Sequence, residues 1–183
     1  MRVLGISGSL RADSHNTRLL RRAAEHLPPG HELVLYRRLG EIPPYSEDAD
    51  AHGEPAVEGL RARIADADAV LFATPEYNGS IPGQLKNALD WVSRPRAESA
   101  LQYKPVAVIG ASTGQFGAVW AQQELRKVAA TMGARVVETD FALPRAHEAW
   151  HPYGALGDEL LDGKLAAALE ALLVETGRSL VAV

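Results

Sequence analysis

The segment that decides the fold reads T-P-E-Y-N-G-S-I-P-G over residues 74–83. An apolar, strand-like run at 69–73 ends there, and a helical pattern begins at Gln84. A polar loop between a buried strand and a helix is where an open α/β sheet holds its ligand. We therefore expect residues 74–83 to line a binding cleft.

An equivalent break follows the apolar run at 3–6, where S-G-S-L-R-A-D-S-H-N over residues 7–16 leads into a helical pattern from Thr17. Gly, Ser and Arg at a helix N-terminus supply N–H groups, hydroxyls and a positive charge, which suits a phosphate. An ordinary Ser/Asn-capped helix start is the alternative. In the segment at 74–83, Glu76, Tyr77 and Asn78 offer an aromatic face and hydrogen-bonding groups to a flat heteroaromatic ring.

Apolar runs alternate with amphipathic ones along the chain. The runs predict strands at 3–6, 33–36, 69–73, 106–109 and 136–141, and helices at 17–27, 57–67, 84–92, 119–132 and 158–176. Short strands without polar alternation indicate a parallel sheet covered on both faces by helices. We predict one α/β domain over residues 1–183, a flavodoxin-like, doubly wound, five-stranded parallel sheet of order 2-1-3-4-5. The stretches 40–55 and 144–157 are expected to be surface loops beside a pocket.

The composition excludes several classes of function. The 183 residues include no cysteine, which rules out disulfides, thiolate catalysis and iron–sulfur ligation, so any redox chemistry needs a bound cofactor. With 19 basic and 23 acidic side chains, the net charge of -4 gives no strong attraction to nucleic acid or anionic membranes. No apolar run approaches the roughly 18 residues of a membrane span, and no signal-peptide pattern opens the chain. We expect a cytoplasmic protein.

The loop at 7–16 matches neither common nucleotide fingerprint. GxxxxGK[ST] is absent and no GxGxxG follows the first strand, which argues against ATP and against a classical dinucleotide site there. A looser phosphate nest remains, in which Ser9, Ser14 and Asn16 donate side-chain hydrogen bonds and Arg11 donates a charge-assisted one.

The tract G-S-L-R-A-D-S-H-N over 8–16, with P-E-Y-N-G-S-I-P-G-Q-L-K-N-A-L-D-W over 75–91, resembles the NADPH-dependent FMN reductases, and within them the bacterial quinone and chromate reductases. The resemblance covers most of the chain. It implies FMN as cofactor and NADPH or NADH as hydride donor.

By this resemblance, residues 9–16 wrap the FMN phosphate, residues 75–78 line the ring system, and the loop at 111–115 reaches the flavin from the other side. The predicted cofactor-binding residues are Ser9, Leu10, Arg11, Ser14, His15, Asn16, Pro75, Glu76, Tyr77, Asn78, Ser112 and Gly114. For His15, a solvent-facing position is the alternative. We predict no catalytic side chain, because a flavin accepts a hydride without a protein acid or base.

The helix at 84–92 carries Leu85, Ala88, Leu89 and Val92 on one stripe, with Trp91 beside it. Packing onto the sheet explains the stripe. The resemblance implies a homodimer or homotetramer to which this helix contributes, and we predict Trp91 as an exposed interface residue.

The tract at 147–151 spells H-E-x-x-H, the zinc metalloprotease signature, and Glu170 follows as a possible third ligand. The two histidines share a face only on a continuous helix, and Pro152 and Pro144 leave almost no room for one. We therefore predict a loop bordering the flavin site and no metal.

Two further groups are candidates for ligand binding. Arg18, Arg21 and Arg22 can be interpreted as ligands of the NADPH 2′-phosphate, although a solvated charged helix face is the more common origin of such a pattern. Tyr45 is a candidate for the rim of the pocket.

The predicted function is an FMN-dependent NAD(P)H oxidoreductase with ping-pong kinetics, whose small-molecule acceptor is a quinone, a free flavin, an azo compound or a metal oxyanion. A flavodoxin-like electron carrier with a protein partner is the main alternative, and a flavin-binding regulatory module without turnover is the third.

Overall fold

The computed structural model describes residues 1–50 and 52–181, with side chains as far as residue 178. A single five-stranded sheet has the order β2-β1-β3-β4-β5, and every pairing is parallel. The strands are β1 (Arg2–Ser7), β2 (Glu32–Tyr36), β3 (Ala69–Thr74), β4 (Pro105–Gly110) and β5 (Arg135–Val137). The predicted sheet order is confirmed, and it places the topological switch point between β1 and β3.

Helices cover both faces of this sheet. They are α1 (His15–Glu25), α2 (Glu47–Asp50), α3 (Pro55–Ala65), α4 (Gly83–Val92), α5 (Val119–Thr131) and α6 (Glu159–Val181). One core cluster holds apolar side chains of α3, α4 and α5, and a second holds those of α1 and α6. The molecule is therefore a doubly wound α/β layer, as predicted.

The central strands explain why the layer is stable. Every residue of β3 and β4 is buried, and successive side chains alternate between the two clusters, with Phe72 in one and Leu71 in the other. Each fully buried side chain of this size contributes about 1.5–3 kcal/mol of hydrophobic free energy. A sheet buried on both faces therefore holds its carboxyl edge as a rigid platform for the loops.

The predicted strand at 136–141 is wrong in its second half, since β5 ends at Val137. Side chains replace the ladder there: the Thr139 hydroxyl donates to the Val108 carbonyl at 2.8 Å, and Arg126 donates to the Thr139 carbonyl at 3.1 Å. The chain then reaches Leu143, which forms an isolated parallel bridge with Ala111.

The prediction that Trp91 is exposed is wrong as well. Trp91 is only 1% exposed, its Nε1–H donates to the Pro43 carbonyl at 2.8 Å, and the Tyr45 ring packs edge-on against it at 5.0 Å. The segment after β2 folds over α4, buries Trp91 and leaves Tyr45 partly buried against it. Tyr45 therefore belongs to this packing, and the predicted stripe that includes Leu85 and Leu89 is confirmed as buried.

Within residues 1–50 and 52–181, no helix is long and apolar enough to cross a membrane.

Candidate functional site

Three loops meet at the carboxyl edge of the sheet, one after each of β1, β3 and β4. A cavity of about 100 Å³ lies between them. Its lining comes from all three loops and from the start of α1: Ser9, Arg11, Ser14, His15, Asn16, Pro75, Glu76, Tyr77, Ala111, Ser112 and Thr113. We call this cavity the cleft.

The first loop ends in a helix N-terminus that suits an anion. Ser14 is the N-cap of α1, and its hydroxyl accepts from the Thr17 N–H at 3.2 Å. The N–H groups of His15 and Asn16 stand in the first turn, where a helix offers them no acceptor. Arg11 is exposed, and its guanidinium has no partner among the described residues. Partial positive charge, free N–H groups and a cation therefore converge here.

Asn16 ties the first loop to the third. Its side-chain amide donates to the Ala111 carbonyl at 2.9 Å, and its oxygen accepts from the Ala111 N–H at 3.0 Å. Asn16 is 2% exposed, so both bonds are shielded from water. Its side chain, predicted as a phosphate donor, thus holds the end of β4 at a fixed place beside α1.

The first and second loops are in close contact at Gly8. A Cβ there would lie 2.9 Å from Leu85 Cδ2 and 3.3 Å from Pro75 Cδ, so a side chain would require both of these neighbours to shift. The Gly8 N–H donates to the Ala73 carbonyl at 2.8 Å and continues the pairing of β1 with β3. Glycine at this position lets the two loops share one edge.

The second loop closes in a tight hairpin. Tyr77 and Ser80 exchange two backbone hydrogen bonds, of 3.0 and 3.1 Å, around Asn78 and Gly79, whose φ angles are 54° and 74°. Left-handed Asn-Gly in a two-residue turn is the arrangement expected from the sequence. The turn leaves Tyr77 50% exposed above the cleft.

Glu76 joins the second loop to α5. Its Oε2 accepts from the N–H groups of Trp120 and Ala121, each at 3.1 Å. A carboxylate at the N-terminus of a helix is stabilised by the unpaired N–H groups and by the helix dipole. This contact sets the position of the wall beside the predicted ring site.

The third loop is held from behind by residues 143–146. The N–H of Ser112 donates to the Leu143 carbonyl at 3.1 Å, and the N–H of Arg145 donates to the Gly114 carbonyl at 2.9 Å. The Ser112 hydroxyl accepts from the Gly114 N–H at 3.1 Å, which leaves its own proton available to a ligand.

His15 lines the cleft as a neutral imidazole. The Trp150 indole N–H donates to His15 Nδ1 at 3.3 Å, so the ring proton belongs on Nε2. Burial lowers the pKa of His15, and the positive charges of Arg11 and Arg18 lower it further. Arg18 in turn lies 4.4 Å above the centre of the Trp150 ring. Residues 144–157 thus border the first loop, as predicted.

The structure brings most of the predicted binding residues to the cleft. Three do not line the cavity: Leu10 points to a neighbouring hollow, Asn78 sits at the hairpin tip, and Gly114 lies behind Ser112. Ala111 and Thr113 line it but were not among the predicted residues, because small side chains in a short loop give no chemical signal. Contact of any of these side chains with a flavin remains a prediction.

The H-E-x-x-H tract is not helical. Residues 144–148 form turns, and the His151 N–H donates to the Ala155 carbonyl at 2.9 Å, so the predicted loop is confirmed. The described part of the chain contains no group of three or more metal-ligating side chains.

The helical arginines divide into two kinds. Arg22 pairs with Asp162 at 2.8 Å, and Arg18 donates to the His151 carbonyl at 3.0 Å, so both are engaged in structural contacts. Arg21 alone is exposed, and it has no partner among the described residues.

Fold and site together define a class: a doubly wound protein with an anion site at one end of its cleft and an open, aromatic-edged slot at the other. The residues fit FMN, since α1 presents free N–H groups and Arg11 to a phosphate, while residues 75–77 and 111–113 face each other across the space for a ring. The model of the NADPH-dependent FMN reductase family matches residues 1–148. The chain belongs to this family and is an NAD(P)H-dependent enzyme with FMN as its cofactor.

Similar proteins agree with this assignment. An NAD(P)H-dependent FMN reductase of Pseudomonas aeruginosa is 43% identical over 94% of this chain and 93% of its own length. An NADPH:quinone oxidoreductase of Arabidopsis thaliana is 35% identical over 97% and 93%. The solved structure of FerB, a flavoenzyme NAD(P)H:(acceptor) oxidoreductase from Paracoccus denitrificans, superposes with a TM-score of 0.88 at 35% identity, covering 97% of this chain and 98% of that one.

Proposed function

We propose that the chain, as one FMN-binding domain over residues 1–183, passes reducing equivalents from NAD(P)H to a small acceptor by a ping-pong mechanism in which both substrates use the same open face. The carrying observation is the cleft itself, which brings Arg11 and the start of α1 together with Tyr77, a residue that is 50% exposed. When bound, FMN supplies the hydride chemistry, so the chain has to bind and orient rather than act as acid or base.

In this proposal the first loop holds the phosphate. The free N–H groups at the start of α1, the Arg11 guanidinium and the Nε2–H of His15 are the donors that the geometry makes available. Ser9 lines the same space, while Ser14 and Asn16 act mainly by holding the loop in shape. Leu10 then has no role in holding the phosphate.

The other two loops orient the ring. Pro75 is buried and fixes the start of the second loop, Glu76 anchors it to α5, and Tyr77 and Asn78 form the outer edge. On the other side, Ser112 retains a hydroxyl proton for a ring acceptor, and Gly114 keeps that hydroxyl in place. Half of the Tyr77 side chain is exposed, so this edge leaves access from solvent.

Quinones are the acceptors we propose first. Relatives named 2-hydroxy-1,4-benzoquinone reductase from a Burkholderia species and quinone reductase from Escherichia coli are 43% and 37% identical over 71% and 75% of this chain. An open slot selects acceptors by size and potential more than by specific contacts, so free flavins, azo compounds and metal oxyanions are further candidates.

Charge around the cleft supports a small acceptor over a protein partner. An electron carrier of the flavodoxin type needs a strongly acidic docking surface, whereas Arg11, Arg21 and Arg37 lie exposed beside this cleft. A homodimer or homotetramer and a cytoplasmic location stay predictions from the sequence, the former without Trp91 as an interface residue.

Initial-rate measurements test whether NADPH and the acceptor use the same open face of the site. With FMN-loaded protein, NADPH varied at several fixed quinone concentrations should give parallel double-reciprocal lines, because the first product must leave before the quinone binds. Lines that converge would show both substrates bound together and would contradict the mechanism. Replacing Tyr77 with Ala should change KM for both substrates, since both pass the same edge.

A further inference from the structure

A second cavity adjoins the cleft on the side of β2. It has a volume of about 370 Å³ and lies between the loop after β1, the first turns of α1 and the segment after β2. Ser9 and Arg11 line both this cavity and the cleft. We call it the arginine hollow, after Arg11, Arg21 and Arg37 in its lining.

The three arginines of the hollow are not engaged by other groups of the described chain. Arg11, Arg21 and Arg37 are exposed, and none of their guanidinium groups has a hydrogen bond or ion pair within the described residues. By contrast, neighbouring Arg38 pairs with Glu41 at 2.6 Å, and Arg22 pairs with Asp162.

No carboxylate lies in the described lining of the arginine hollow. Three like charges around one hollow repel each other, and on a chain of net charge -4 they make a local positive site. Guanidinium groups bind phosphate through paired N–H donors, so such a site favours a phosphorylated ligand.

The rest of the lining suits a base and a sugar. Leu10 is 58% exposed at the mouth, Leu39 is buried behind it, and the half-buried Tyr36 ring forms part of the wall. Burial raises the pKa of Tyr36, which keeps its phenol neutral. A volume of about 370 Å³ falls within the range of small-molecule pockets, roughly 300–1,000 Å³, and exceeds what an inorganic phosphate would fill.

We propose that the arginine hollow binds the adenosine half of NADPH, with Arg21 and Arg37 on its 2′-phosphate, and that it makes the enzyme prefer NADPH to NADH. The inference rests on the proposed function, because a dinucleotide whose adenosine end lies here has its nicotinamide end directed to the adjoining cleft. Arg11 lines both cavities, so it is placed to contact the phosphates of both ligands when they are bound.

Binding of nucleotide fragments tests this directly. With FMN-loaded protein, calorimetric titration should show adenosine 2′,5′-bisphosphate binding at least about tenfold more tightly than 5′-AMP, since the extra phosphate adds charge-assisted hydrogen bonds. Arg21→Ser and Arg37→Ser should each lose about tenfold in affinity for the bisphosphate and change little for 5′-AMP. Arg38→Ser, which removes the same charge from the adjacent residue, should bind both fragments like the unchanged protein.

Turnover gives a second readout. Arg21→Ser and Arg37→Ser should raise KM for NADPH about tenfold while leaving KM for NADH and kcat as they were. Equal binding of the two fragments, or an unaltered NADPH-to-NADH ratio in both variants, would overturn the proposal. Failure of the flavin to bind or to be reduced by NADH would instead refute the proposed function, and the fragment titration would still decide whether the hollow recognises a 2′-phosphate.

Discussion

Asn16→Ala tests whether the contact between the first and third loops contributes to FMN binding beyond its contribution to the stability of the fold. The variant loses two hydrogen bonds to Ala111 and leaves a buried N–H and a buried carbonyl without partners. Each unpaired buried group costs about 1–3 kcal/mol, so we expect a loss of about 2–5 kcal/mol in the free energy of unfolding. For a chain of this size that lowers Tm by about 5–15 °C.

Asn87 provides a matched control. Its side chain also makes two bonds to backbone, accepting from the Tyr45 N–H at 2.7 Å and donating to the Pro43 carbonyl at 2.8 Å, but these join α4 to the segment after β2. Asn87→Ala is therefore expected to destabilise by a comparable or smaller amount, about 1–4 kcal/mol, without disturbing the contact between the first and third loops.

The decisive comparison is FMN affinity. Asn16→Ala should weaken binding of FMN at least about tenfold, equivalent to about 1.4 kcal/mol, because the two loops no longer hold a fixed separation. Asn87→Ala should stay within about twofold. Fluorescence titration of FMN into apoprotein, well below both melting temperatures, measures this. Equal affinities in the two variants would refute the role assigned to Asn16.

Three further changes have defined outcomes. Gly117→Ala puts a Cβ 2.8 Å from the Leu143 nitrogen, so calorimetry should show a greater loss of Tm than for Gly30→Ala, which shares a positive φ but meets nothing within 4 Å; equal losses would contradict the contact. Trp91→Phe should cost about 1–2 kcal/mol in a urea titration while FMN affinity stays unchanged, because the lost hydrogen bond lies outside the cleft; weakened FMN binding would contradict that placement. Folding lowers the pKa of His15. Above about pH 6.5 the ring is therefore mostly neutral in both the folded and the unfolded chain, whereas below about pH 6.5 the unfolded chain binds the proton more readily than the folded chain does. Stability should therefore fall as the pH drops below about 6.5, and less steeply in His15→Gln; identical slopes would show that the ring does not titrate differently on folding.

Local patterns in the sequence predict much of this fold. Residues 69–73 and 106–109 are continuously apolar because both of their faces are covered, and strands β3 and β4 follow these runs closely. Asn78-Gly79 marks its turn, since those residue types tolerate the positive φ that a two-residue hairpin needs. Where local chemistry decides the structure, prediction from sequence succeeds.

Contacts between distant segments account for the failures. Trp91 lies beside the apolar stripe of its helix, and only the segment around Pro43 folding over it makes it buried. The run at 136–141 has strand-like composition, but Arg126 and Thr139 take the places of ladder partners. Likewise, Arg21 joins Arg37 only because the segment after β2 packs beside α1.

The central claim is that this cleft holds FMN in a position to be reduced by NAD(P)H and reoxidised by a small acceptor. Anaerobic absorbance titration of FMN-loaded protein with NADPH tests it most directly, because the visible flavin band bleaches only on reduction. We predict rapid bleaching that a quinone then reverses. Bound flavin that keeps its absorbance with both NADPH and NADH would contradict the claim.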